Sequence, residues 1–302
     1  MQPRTPRKNF APAFPAPDLS LAERRRCSVR SDTQPLLEAF FRSLTQASQS
    51  LLLLDYDGTL APFRKERDQA VPYPGVASAL QAIMGEGHTR VVIISGREAA
   101  DIRPLLGIQP SPEVWGLHGL QRVKPDGSSE ILQPDERTLE VLLAAGEWLD
   151  HQHLRHMAEF KTGSIAFHWR GLGECEAEEV RGRVLAGWLV IAERAGLDLL
   201  EFDGGVEVRA SQADKGDAVR AILREMEANT PAAYLGDDTT DESAFQALQG
   251  RGLSVLVRPR WRQTAAQLWL KPPDELLSFL ARWLRACRAG AASGKTAAAV
   301  KR

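Results

Sequence analysis

Asp55 and Asp57 stand two residues apart, directly after four consecutive leucines and directly before Gly58-Thr59. Two carboxylates that close repel each other, so the pair needs a cation or a shared proton. Hard oxygen donors of this kind suit Mg²⁺. Three more polar groups share the placement of these two. Ser95-Gly96-Arg97 follows Val91-Val92-Ile93-Ile94, and Gly236-Asp237-Asp238-Thr239-Thr240-Asp241-Glu242 follows Ala232 to Leu235. Lys215 opens a run in which Ala218, Val219, Ile222, Leu223 and Met226 recur at helical spacing. Singly, each has an ordinary reading: an Asp-rich turn, a serine N-cap, a solvated lysine. Together they supply carboxylates, a hydroxyl and an amine. A phosphoryl group beside Mg²⁺ calls for that set: the cation offsets negative charge, while Ser and Lys take the remaining oxygens.

The elements that must position these groups are legible. Leu51 to Leu54 and Val91 to Ile94 are apolar on both faces, as strands of a covered parallel sheet are. Gln34 to Gln46, Val76 to Met84 and Ala99 to Leu106 read as helices, and Val114 to Leu117 as a short strand. Strands alternating with helices predict an α/β fold, a parallel sheet with right-handed crossovers. Ligands then bind at the carboxyl edge of the strands, where Asp55, Ser95 and Asp237 meet.

The middle of the chain changes rhythm. A helix from Asp135 to about His151 precedes two strand-like runs, Met157 to Lys161 and Ser164 to Arg170. Another helix, Glu174 to about Ala195, precedes Leu197 to Phe202 and Val206 to Ala210, joined by Asp203-Gly204-Gly205, a hairpin signal. This predicts a small α+β domain, residues 121–210, inserted into a core of residues 33–120 and 211–288. Residues 1–32, with five prolines and a run of three arginines, read as a flexible tail, and residues 289–302 as a second disordered one.

The polar clusters resemble the four motifs of haloacid dehalogenase (HAD)-type phosphatases. That resemblance implies a Rossmann-like (HAD-like) core, Mg²⁺ and an aspartyl-phosphate intermediate, with the insert as a C2-type cap. Asp55 becomes the nucleophile and Asp57 the acid and base. Ser95 and Lys215 become phosphoryl ligands, and Asp55, Asp57 (through its backbone carbonyl), Asp237 and Asp241 the metal site, the last from a second layer. The insert is similar to that of trehalose-6-phosphate phosphatases, through Glu159-Phe160-Lys161, Ser164 to Arg170, Gly116-Leu117-His118-Gly119-Leu120 and Val206-Glu207-Val208-Arg209. It departs from the family at Phe160, Gln121 and Ala210. The resemblance implies hydrolysis of trehalose 6-phosphate in trehalose biosynthesis. Arg97, His118, Gly119, Glu159, Lys161, Arg170 and Glu207 become the substrate-binding candidates. Along a strand, alternate residues share a face, which puts Glu159 with Lys161, His168 with Arg170, and Glu207 with Arg209. Closure of the cap would hinge near Gln121 to Val123 and Ala210 to Ala213. The alternatives are a phosphatase for sucrose or glucosylglycerol phosphate, and a non-catalytic sugar-phosphate sensor or scaffold.

A net charge of −1 gives no argument for nucleic acid, and no apolar run is long enough to span a membrane. Cys27, Cys175 and Cys287 are far apart, with neither metal nor disulfide spacing. No signal-peptide core stands at the N-terminus. A monomeric cytoplasmic protein is expected, with a trehalose-phosphate synthase as the macromolecular partner considered.

Overall fold

The computed structural model describes residues 19–64, 66–193, 197–202, 204–209 and 214–300. In chain order, α1 (Leu19–Gln46) leads into β1 (Ser50–Leu54). The alternation continues through α2 (Val76–Gly85), β2 (Thr89–Ile94), α3 (Ala99–Leu106) and β3 (Glu113–Gly116). Two short strands follow, β4 (Gln121–Val123) and β5 (Ser129–Ile131). The inserted segment comprises α4 (Glu136–His151), β6 (Ala158–Lys161), β7 (Ser164–His168), α5 (Glu174–Glu193), β8 (Asp198–Phe202) and β9 (Gly205–Arg209). The chain closes with α6 (Lys215–Arg224), β10 (Ala232–Gly236), α7 (Glu242–Ala247), β11 (Leu253–Val257), β12 (Leu268–Leu270) and α8 (Asp274–Val300).

The leucine strand is the centre of the larger sheet. Every residue of β1 is buried, and β10 and β2 flank it, both parallel. The full order is β12-β11-β10-β1-β2-β3-β4-β5. Strands β12 to β3 run parallel, while β4 and β5 fold back antiparallel at one edge. On one face, Leu51, Leu53, Val92 and Ile94 pack with Val219, Ile222 and Phe245. With apolar side chains on both faces, only a sheet covered on both sides suits β1.

The second sheet is antiparallel, in the order β6-β7-β9-β8. Helices α4 and α5 cover one face through Leu142, Ala145, Leu149, Val184 and Trp188, which meet Ile165, Phe167, Val206 and Val208. Trp188 anchors this layer: its ring meets Phe167 edge-on at 6.3 Å, and its indole N–H donates to the Ala145 carbonyl at 3.2 Å. A buried tryptophan is stable there only with such an acceptor. Alternation then leaves Glu159, Lys161, Ala166, His168 and Glu207 on the opposite face.

Several expectations are corrected. Residues 121–131 belong to the large sheet, because β4 pairs with β3 on one side and β5 on the other. The inserted segment therefore leaves the core after Ile131, and a strand hydrogen-bonded on both sides is no hinge. The other expected hinge, residues 210–213, lies outside the described residues. β3 stops at Gly116 because Leu117 and His118 both take positive φ, 52° and 56°, which breaks the extended backbone. The helix expected from Gln34 begins at Leu19, so residues 19–32 are helical, and residues 1–18 lie outside the described residues. α8 likewise continues past Gly290 to Val300. Gly290 sits where a Cβ would lie 2.5 Å from the Thr45 carbonyl, a close helix contact open to glycine.

Candidate active site

Since β10, β1 and β2 are adjacent and parallel, the residues that follow them share one edge. Asp55 follows β1, Ser95 follows β2 and Asp237 follows β10. Lys215 reaches the same point from the first turn of α6, whose entry is fixed by a capping box between Asp214 and Asp217. The Lys215 ammonium is 3% exposed and lies 2.7 Å from both Asp55 Oδ1 and Asp241 Oδ1. Thr59 donates to Asp55 Oδ2 at 3.2 Å. Asp241 is fully engaged by the protein. Its Oδ1 also accepts from the Tyr234 hydroxyl at 2.6 Å, and its Oδ2 takes the backbone N–H groups of Asp237 and Asp238, both at 2.9 Å.

The buried carboxylates of Asp55, Asp237 and Asp241 place one oxygen each within 4.8 Å of one another. Burial pushes the Asp55 carboxyl up to about 7 against the pull of Lys215. Burial, then the charges of Asp55 and Asp241, hold Asp237 well above the usual carboxylate range. Burial also works against the charge of Asp241, but Lys215 and the Tyr234 hydroxyl outweigh it and keep that group low. Three carboxylates thus face one ammonium in a desolvated place, with no soft ligand. That donor set fits a hard divalent cation. The turn makes room for it: Gly58 has φ +82°, and a Cβ there would lie 2.1 Å from Asp237 Oδ2. Asp55 and Asp237 can offer oxygens directly, whereas Asp241 braces the loop behind them.

Asp57 is gripped by Arg97. Nε of the guanidinium donates to Oδ2 at 2.6 Å and Nη2 to Oδ1 at 2.5 Å. The Arg97 backbone N–H also donates to Ser95 Oγ at 3.2 Å. Arg97, a substrate-binding candidate by sequence, here pairs with the second aspartate and also lines the cavity.

Above this floor lies a cavity of about 670 Å³ whose other wall is the polar face of the second sheet. Glu207, 2% exposed, accepts from Ser164 Oγ at 2.8 Å and Lys161 Nζ at 3.1 Å, and lies 2.8 Å from His118 Nε2. Burial opposes its charge, yet His118, Lys161 and Ser164 hold it well below the ordinary glutamate value. Burial lowers the His118 value against the pull of Glu207; its Nε2 faces Glu207, and its Nδ1 is buried without a partner. Gly96 lies under that ring, where a Cβ would meet Nε2 at 2.5 Å. Glu159 faces Lys161 at 3.9 Å and His168 at 3.5 Å. The Arg170 guanidinium sits 4.5 Å above the Phe63 ring, joining the insert to the loop after β1.

All the expected site residues except Gly119 and Asp241 line this cavity. Gly119 instead packs its backbone against Asp214, where a Cβ would come 3.0 Å from the carbonyl oxygen. The wall also includes Phe63, Arg64, His156, Met157, Leu172 and Phe202. None stands in a motif, and Phe63 and Arg64 lie in an irregular loop, where no periodicity marks a facing residue.

A parallel sheet with this edge, covered by an inserted α+β layer, is a HAD-like fold. The chain matches a phosphatase of the haloalkanoate (HAD) enzyme superfamily from Bacteroides thetaiotaomicron with TM-score 0.54 at 17% identity, covering 78% of this chain and 95% of that one. It matches the C-terminal domain of Candida albicans trehalose-6-phosphate phosphatase with TM-score 0.70 at 19% identity, covering 82% and 96%. At these identities the likeness is one of fold. A sequence model of the trehalose-phosphatase family matches residues 53–268, and the chain belongs to that family. The trehalose-phosphate phosphatase of Mycobacterium marinum is 30% identical over 245 residues, 76% of this chain and 60% of the relative. The chain thus spans about three-fifths of the length of such mycobacterial relatives.

Proposed function

We propose that this chain is a Mg²⁺-dependent phosphatase that hydrolyses trehalose 6-phosphate to trehalose and phosphate, as a step of trehalose biosynthesis in the cytoplasm. The observation that carries the reading is Lys215 bridging Asp55 and Asp241 beside Asp237, on the floor of a cavity roofed by Glu159, Lys161 and Glu207. Family membership supports the same substrate.

Asp55 is positioned as the nucleophile. Lys215 and Thr59 each hold one of its oxygens, which fixes the carboxylate and favours its ionised form. Attack forms the Asp55 O–P bond and breaks the bond between phosphorus and the sugar oxygen, and Asp57 gives that oxygen its proton. Water then attacks phosphorus, Asp57 takes the proton, and the Asp55 O–P bond breaks. An ammonium has three donors, of which Asp55 and Asp241 take two, so Lys215 keeps one for a phosphoryl oxygen. Ser95 Oγ offers another contact. Asp55 and Asp237, with the Asp57 carbonyl, would hold Mg²⁺, which when bound offsets the charge gathered on the phosphoryl group. Asp57 enters either step only after leaving Arg97, so this ion pair must open as substrate settles. Glu159, Lys161, Arg170 and Glu207 present charged groups to sugar hydroxyls, where hydrogen bonds are strong.

The test is phosphate release from trehalose 6-phosphate, glucose 6-phosphate and sucrose 6-phosphate, with Mg²⁺ and with EDTA. The disaccharide of trehalose should lead by at least about tenfold in kcat/KM, a difference of about 1.4 kcal/mol. EDTA should silence release and Mg²⁺ restore it, while Asp55→Asn should abolish it in a folded protein. Equal turnover of all three sugars would remove the trehalose assignment, and an active Asp55→Asn would remove the nucleophile.

A further inference from the structure

Between β11 and β12 the chain runs Arg258-Pro259-Arg260-Trp261-Arg262, a stretch outside every motif used above. Arg262 spends its guanidinium on the acidic loop from Asp237 to Glu242. Its Nε donates to the Asp237 carbonyl at 3.2 Å and its Nη2 to the Asp238 carbonyl at 2.5 Å. Its Nη1 pairs with Glu242 Oε1 at 2.5 Å and also reaches the Gln263 carbonyl at 2.9 Å. Arg258 adds a longer contact to the Asp237 carbonyl at 3.3 Å. Glu242 is tied in turn, since its Oε2 accepts the Ala265 N–H at 2.8 Å.

The same two residues are held from the other side. Asp241 Oδ2 takes the N–H groups of Asp237 and Asp238. The loop is therefore pinned twice: its amides turn inward to a carboxylate and its carbonyls outward to a guanidinium. With both sides fixed, the backbone that carries Asp237 is held in place, and its carboxylate has an oxygen within 4.8 Å of one on Asp55. Arg262 does not line the cavity, so it acts on the site through the loop it holds, whose Asp237 and Asp238 do line it.

We propose that Arg262 is a positioning residue for the metal site: by holding the Asp237 and Asp238 carbonyls, it aims the Asp237 carboxylate at the cation shared with Asp55. The inference rests on the Mg²⁺ reading above. A planar guanidinium can satisfy three acceptors in fixed directions, and a lysine ammonium at the same place cannot reproduce the fork.

The test is calorimetric titration of the full chain with Mg²⁺ after EDTA dialysis, alongside steady-state phosphate release over a range of Mg²⁺. Residues that orient metal ligands cost about 10–100-fold in metal affinity when lost, so Arg262→Ala should weaken the Mg²⁺ Kd by at least about tenfold. Its KM for trehalose 6-phosphate at saturating Mg²⁺ should stay at the unaltered value. Arg262→Lys should fall between the two proteins. If Arg262→Ala does not fold, Arg262→Lys and Glu242→Gln carry the test, each with a weakened Mg²⁺ Kd. Unchanged Mg²⁺ affinity in the folded variants overturns the proposal, as does a raised KM with Mg²⁺ affinity intact or an unaltered chain that binds no Mg²⁺. An unaltered chain that binds Mg²⁺ but releases no phosphate from trehalose 6-phosphate sinks the proposed function and leaves this inference standing.

Discussion

Replacing Lys215 by methionine shortens the side chain by one atom and deletes the positive charge among three buried carboxylates. Each 2.7 Å contact, to Asp55 and to Asp241, carries about 6 kcal/mol of attraction at an effective dielectric of about 20. Desolvating the ammonium cancels much of that gain. Removing one partner of a buried pair costs about 3–5 kcal/mol, because the charge left behind is uncompensated. For a chain of 302 residues, with about 2.1 cal/mol/K of unfolding entropy per residue, that is a fall in melting temperature of roughly 5–8 °C. The loss should also depend on pH. Asp55 sits at about 7 with Lys215 in place, far above an unfolded carboxylate, and losing the amine raises it further. A carboxyl raised on folding favours the folded state at low pH, and that advantage is lost as pH rises through its folded value. Melting of both proteins in EDTA, at about pH 5 and about pH 8, should therefore show a smaller deficit in acid than in base, because Asp55 is protonated in acid while Asp241, held low by Lys215, stays ionised at both. A deficit below about 1 kcal/mol at the higher pH, typical of an exposed pair, would refute the picture of a desolvated ammonium. So would a deficit equal at both pH values.

Gly58→Ala should cost about 1–3 kcal/mol from its left-handed backbone alone. Its Cβ would also displace Asp237, so melting and Mg²⁺ titration should both register the change, and a variant with normal Mg²⁺ affinity would contradict the crowding at Asp237. Glu207 is depressed on folding, so its stabilisation is present above about pH 4.5 and lost as pH falls through its lower folded value. The melting gap between the unaltered chain and Glu207→Gln should thus be wide at about pH 7 and narrow at about pH 3. A constant gap would mean that the carboxylate is not held by His118, Lys161 and Ser164.

The floor of the site was readable because its parts obey strong local rules. Leu51 to Leu54, Val91 to Ile94 and Ala232 to Leu235 are too apolar to be anything but covered strands, and the polar residues that end them must share an edge. The alternation along β6, β7 and β9 likewise put Glu159 with Lys161 and set Glu207 apart from Val206 and Val208. What escaped depends on approach in space. The grip of Arg97 on Asp57 spans 40 residues, and either carboxylate or phosphate would satisfy a guanidinium. β4 and β5 are too short and too polar for their period to register. Past Gly290 the alanines and lysines read as disorder, yet alanine is the strongest helix former and α8 simply continues.

The register Leu51↔Ala232 has a consequence for biosynthesis. The strand that carries Asp55 waits about 180 residues for one of its two neighbours. At about 5–20 residues per second, that is roughly 10–35 s of translation. Throughout it, four leucines form an open sheet edge, the kind of surface that templates aggregation. α4, α5 and their antiparallel sheet emerge meanwhile with a core of their own around Trp188, and can fold before β10 exists. The nascent chain would thus complete its upper layer first and its chemistry last, and a chaperone that shields the leucine edge should raise the yield of folded protein more than one that acts after release.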